Sequence, residues 1–268
     1  MARPLHDAIS ALAYDFLLHN SMSGFFCSEA FNLRTYSASG RMPRRTRINP
    51  WSKYSDAGIH YGRPGEDLSR TIVFEVGASE PHDQLIDDTR QWLLGARGDV
   101  QLVILVDIQE DLNALKRHRQ TQEYRERFHA LVLEYAHPDI IDQLELRDDY
   151  GVYDFLEDSA CEDYKDLKAD INHIDFVGPI EVTLELWELK GDLPTKRSSH
   201  RVLPSGDNHV PIRFSDVVPQ HRVDAGHDSV TQLDLTLYRT YLERGAKDLA
   251  FWRALDILRP NRTKSETE

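Results

Sequence analysis

The chain has 268 residues, 40% hydrophobic and 29% charged, with a formal net charge of −13. That length and apolar share suit a single elaborated domain with its own core. The charge weighs against non-specific adhesion to nucleic acid or anionic membranes. No apolar run approaches the ~18 residues of a membrane span, and two cysteines, Cys27 and Cys161, are too few for a disulfide scaffold or a Cys-rich zinc site.

The first segment, residues 4–20, predicts a helix, since Leu5, Ile9, Leu12, Phe16 and Leu17 recur at helical spacing. Its Asp and His residues make it amphipathic rather than a signal peptide. The expectation is an intracellular protein, cytoplasmic or nuclear and not secreted. Residues 31–40 predict a strand running into a turn. RMPRRTR, residues 41–47, carries Arg41, Arg44, Arg45 and Arg47 and no acid. It reads either as a solvated basic loop or as a loop contacting nucleic-acid phosphates.

SKYSDAGIHYG, residues 52–62, predicts a strand with Asp56, Gly58 and His60 toward one side. A turn over 63–70 leads into TIVFEVGASE, residues 71–80. There Ile72, Phe74 and Val76 share one face, and Val73, Glu75 and Gly77 the other. Glu75 is a carboxylate set inside a run that asks for burial. A buried, unpaired carboxylate costs several kcal/mol, so Glu75 needs an arginine, a hydrogen-bond network or a metal ion.

Pro81 stops that strand and Asp83 is a candidate helix N-cap. Leu85, Ile86, Thr89, Trp92 and Leu93 form a one-sided stripe, with Asp87, Arg90 and Gln91 opposite. QLVILVDI, residues 101–108, is a continuous apolar run, the signature of a central strand covered on both faces. Residues 112–136 predict one long amphipathic helix and 148–166 an acidic loop. Residues 180–189 predict a strand, 191–209 a turn-rich excursion, 210–219 a short strand and 228–257 a helix. One domain over 1–258 is expected, with a disordered tail over 259–268.

Asp56 and Glu75 lie on successive strands, and a hairpin would bring both carboxylates to one face. Two like charges at close range need a cation between them or a shared proton. A hard divalent ion, Mg²⁺ or Mn²⁺, suits carboxylate oxygens and could activate water against a phosphate.

The series Asp56, FEVGASE with Glu75, the helix LIDDTRQWL and the strand VQLVILVDI resembles the restriction-endonuclease-like, PD-(D/E)xK superfamily. In particular it is similar to uncharacterised fungal proteins with the pattern PDA … EVGxSE … W-L. The resemblance covers residues 50–108 well and 180–216 loosely. It implies an α/β fold with a mixed central sheet flanked by helices, the core running helix, three strands, helix, strand. It implies metal-dependent phosphodiester hydrolysis on nucleic acid, with Asp56 and Glu75 holding the metal; Glu80, close by, reads either as a further ligand or as a helix-start acid favoured by the macrodipole. The sequence departs from the pattern at Gly77, where the superfamily usually places a catalytic lysine. Lys53, three residues before Asp56, and Arg90 are the candidate replacements, and His60 shares the predicted face of Asp56. The alternative is a catalytically degenerate module of the same fold that binds protein or nucleic acid. No P-loop, GxGxxG or GxSxG motif offers another chemistry.

Overall fold

The computed structural model describes residues 3–22, 25, 32–37, 56–62, 68–95, 99–136, 162–219 and 228–258. The chain divides into two compact units, a larger one within residues 2–110 and 180–245 and a smaller one within 111–179 and 246–268.

In the larger unit the elements run α1 (Arg3–Met22), β1 (Asn32–Ser37), β2 (Ala57–Gly62), β3 (Ser69–Ala78), α2 (His82–Gly95) and β4 (Leu102–Glu110), then β5 (Ile180–Lys190) and β6 (Leu193–Leu203). The six strands form one sheet in the order β1-β2-β3-β4-β5-β6. Only β3 and β4 are parallel; all other neighbours are antiparallel. A parallel pair needs a crossover, and α2 supplies it. The sheet is mixed α/β and flanked by helices, and the order helix, three strands, helix, strand that the hydrophobic periods predict holds through β4.

The alternation of β3 sets the two faces. Val73, Leu85, Trp92, Leu93, Val100, Val103, Leu105 and Trp187 form one buried cluster between the sheet and α2. Ile72 and Phe74 point the other way and are fully buried, on the face where α1 packs across β1, β2 and β3. The helix stripe from Leu5 to Leu17 is buried as the spacing predicts.

Several boundaries differ from the expectations. Residues 191–209 are not an excursion, because Leu193–Leu203 is the edge strand β6. A tight turn at Gly191, with φ +62, joins it to β5. Its polar residues hid it: an edge strand needs no continuous apolar face. The segment 210–219 splits into β7 (His209–Arg213) and the one-turn helix α6 (Phe214–Val217). The expected helix over 228–257 opens with a strand, β8 (Val230–Asp234). β7 and β8 pair in a separate two-stranded sheet. The helix itself, α7, is Leu235–Leu258. Asp83 lies inside the first turn of α2 rather than at its cap.

In the smaller unit the long helix over 112–136 is two helices, α3 (Leu112–His118) and α4 (Gln122–Tyr135). Thr121 breaks it, its hydroxyl accepting from the Tyr124 N–H at 3.2 Å as the N-cap of α4. Asp111 caps α3 in the same way, accepting from the Ala114 N–H. Helix α5 (Glu162–Asp170) occupies the end of the segment read as acidic loop; residues 148–161 lie outside the described residues. Buried Asp175 anchors this unit. It accepts from Arg127 Nε at 2.8 Å and Nη2 at 2.7 Å, and lies 2.6 Å from His118 Nε2.

Candidate functional site

Glu75 sits in the middle of β3 on the face covered by α2, and is 8% exposed. The question its burial raises has a local answer. The indole N–H of Trp92, on α2, donates to Glu75 Oε2 at 2.7 Å. The guanidinium of Arg70 lies 4.9 Å from the centre of the Trp92 ring, a cation–π geometry. The carboxylate is therefore held through a tryptophan in the α2 stripe.

The β2–β3 register pairs Ala57 with Phe74, so continuing it by one residue sets Asp56 opposite Glu75. The Asp56 carboxylate closes on the neighbouring backbone: Asp56 Oδ2 accepts from the Val76 N–H at 2.8 Å, while the Asp56 N–H donates to the Phe74 carbonyl at 3.2 Å. Asp56 also makes itself felt at Tyr238 on α7. Burial first, and the Asp56 charge second, push the Tyr238 phenol far above its usual range.

At Gly77 a Cβ would lie 2.8 Å from Leu85 Cγ and closer still to both Leu85 methyls. The space a side chain would need is filled by the buried side chain of Leu85 on α2, which would have to shift to admit one.

The other expected members are dispersed. Arg90 is exposed and pairs with Asp87 on its own helix at 2.9 Å. Glu80 is exposed, and its backbone carbonyl accepts from Gln109 Nε2 at 3.0 Å. His60 is buried on β2, and burial, followed by the charge of Arg70, pushes its imidazole down to about 4. It is a neutral core histidine at physiological pH. Lys53 and the arginines Arg41, Arg44, Arg45 and Arg47 lie outside the described residues.

The α2 face also carries two carboxylates absent from the expected set. Register aligns Glu75 with Leu105 and Leu105 with Glu185. Glu75 and Glu185 thus share a row, two strand spacings or about 10 Å apart. In the next row Gly77 aligns with Asp107 and Thr183. Glu185 is 4% exposed. It accepts from Trp187 Nε1 and from Lys196 Nζ, both at 2.9 Å. His82, at the start of α2, lies between the rows. Its Nδ1 is 3.1 Å from Asp107 Oδ2 and its Nε2 3.8 Å from Glu185 Oε1. Asp107 and Glu185 carried the same sequence signal as Glu75, a lone acid inside an apolar strand (LVILVDI and VTLELWEL). His82 and Lys196 carried none.

Glu75 and Glu185 share one solution: each carboxylate oxygen Oε2 takes an indole N–H from a tryptophan of the same cluster. The imidazole of His82 turns its two nitrogens toward separate carboxylates, so these groups do not converge on one point. Among the described residues no group of three His, Cys, Asp or Glu side chains is arranged to hold a metal ion. Nor is any helix long and apolar enough to cross a membrane. No family model, no curated protein and no solved structure matches the chain.

Proposed function

We propose that the chain is a binding module on a restriction-endonuclease-like scaffold and that it does not hydrolyse phosphodiester bonds at Glu75. One observation carries this reading: Leu85 fills the space beside Gly77 that a catalytic lysine would need. The orientation of the attacking water and the stabilisation of charge at phosphorus, which such a lysine supplies, have no source at position 77. As folded, Glu75 and Asp56 do not fit Mg²⁺, which keeps several waters in an octahedral shell. Glu75 is buried beneath Trp92 and Asp56 is turned onto the Val76 N–H. The net charge of −13 favours a basic protein surface over nucleic acid as the partner.

One observation favours the second reading, an Mg²⁺- or Mn²⁺-dependent nuclease using Asp56 and Glu75. The strand register, continued by one residue, sets these two acids opposite each other, and in that reading a metal ion would share the Glu75 carboxylate with the Trp92 N–H. The experiment that separates the two is cleavage of circular, linear and single-stranded DNA and of RNA in Mg²⁺ and in Mn²⁺, with Glu75→Gln beside the wild type. The binding-module reading expects no cleavage by either protein. Cleavage by the wild type that Glu75→Gln abolishes in a folded protein overturns it.

A further inference from the structure

Thr89 lies on α2, fully buried, and its hydroxyl has no hydrogen-bond partner among the described residues. A helical threonine ordinarily returns its hydroxyl to a carbonyl about one turn back; Thr89 does not. A buried hydroxyl without a bond is costly enough that native folds rarely leave one.

Its position in the helix locates it. Leu85, one turn earlier, rests on Gly77 of β3, and Trp92, three residues later, bonds Glu75 of β3. Residues spaced by three and four share a helix face, so Thr89 faces the sheet between these two contacts, over Glu75. A carboxylate offers about four acceptor positions on its two oxygens, and the Trp92 N–H is one of the donors that Glu75 meets.

We propose that Thr89 and Glu75 hold a single water molecule sealed between α2 and β3. The bound group must donate to a carboxylate and bond a hydroxyl. It must also be small and neutral, because the surrounding cluster is apolar: Val73, Leu105, Leu93 and Trp92. Water meets all of these conditions. A divalent ion does not, since it asks for several oxygen ligands. The inference concerns the same glutamate as the binding-module reading, and it separates a structural use of Glu75 from a metal-binding one.

The test is a crystal structure at about 1.6 Å, where ordered water is resolved, repeated on crystals soaked in Mn²⁺, together with thermal melts of Thr89→Val and Thr89→Ser. The expected result is a density peak within hydrogen-bond distance of both Thr89 Oγ1 and the Glu75 carboxylate, with no anomalous signal after the Mn²⁺ soak. Thr89→Val, which keeps the shape and removes the bridge, lowers Tm by about 2–6 °C, and Thr89→Ser retains the peak. An anomalous manganese peak at the position overturns the inference, as does a dry interface. A rise in Tm for Thr89→Val also overturns it, because deleting a hydroxyl with nothing to bond would stabilise the fold. Should Thr89→Val fail to fold, the density in the wild type and in Thr89→Ser decides alone.

Discussion

The Trp92 indole N–H donates to Glu75 Oε2 at 2.7 Å across the interface of α2 and β3. The acid is buried on the strand and the donor on the helix that crosses back over it, 17 residues apart in sequence. Removing the donor leaves a buried carboxylate with one bond fewer. Trp92→Phe is expected to destabilise by about 1–3 kcal/mol beyond any loss of packing area. In a double-mutant cycle with Glu75→Gln, a coupling of about 1–2 kcal/mol is expected from urea denaturation. Additive effects would show that the bond contributes nothing to folding.

Gly77 is expected to tolerate no side chain. Gly77→Ala drives a methyl group into Leu85 and is expected to cost about 1–3 kcal/mol, the range for overpacking a core. The same substitution in a Leu85→Ala background is expected to cost much less, since the colliding methyls are gone. Equal urea midpoints for Gly77→Ala and the wild type would remove the steric account of the glycine. Gly77→Lys, which would supply the lysine that the proposed nuclease-like scaffold lacks, is expected to unfold the α2 interface rather than create activity.

His60 predicts a pH dependence. Its folded value, about 4, lies below its unfolded value near 6.5, so the unfolded chain binds the extra proton first. Stability is then fully present above about pH 6.5 and is lost as pH falls toward 4. The loss is of order 2–3 kcal/mol. Thermal melts between pH 7 and pH 4 are expected to show a slope that His60→Gln flattens. A slope unchanged by that substitution would assign the acid sensitivity to other groups.

Asp175 is the matching case in the smaller unit, with the same sign and a lower pH window. Burial pushes its carboxyl up, but the hydrogen bonds from Arg127 and His118, with their charges, hold it below the usual carboxylate value. Its contribution is present above about pH 4 and is lost only as pH falls through its lowered folded value, below the window of His60. Arg127→Met strips a bidentate partner from a carboxylate only 2% exposed and is expected to cost about 3 kcal/mol. Hydrogen exchange across α3 and α4 would report it, and unchanged protection there would mean that Arg127 holds nothing in place.

Much of the larger unit was legible because its signals are local. The period-two alternation of residues 72–77, the stripe from Leu85 to Leu93 and the apolar run 102–106 each state how one element is buried. Where a signal was weak the reading failed. β6 is polar along most of its length and is held by its hairpin turn and by pairing to β5, neither of which leaves an apolar pattern. The helix over 112–136 kept its amphipathic period across a break that one threonine cap creates. Glu75 was identifiable as a carboxylate inside an apolar strand and Asp56 as one at the start of the strand before it; Asp107 and Glu185 could have been found by the same rule as Glu75.

What no local pattern could state was the partner of each acid. The sequence by itself determined that Glu75 would be buried and would need a partner, whether arginine, hydrogen-bond network or metal ion, and that the strands and helices would follow the order found in the core. It determined too that position 77 bears no lysine. The tertiary structure decided that the donor is Trp92, that Leu85 occupies the space at Gly77, and that Glu185 stands in the same row as Glu75. The reason is physical. Burial of a strand face follows from the spacing of neighbouring residues. Which side chains meet across the sheet depends on strand register and on where the crossover helix lands, and those are set by packing the whole core at once.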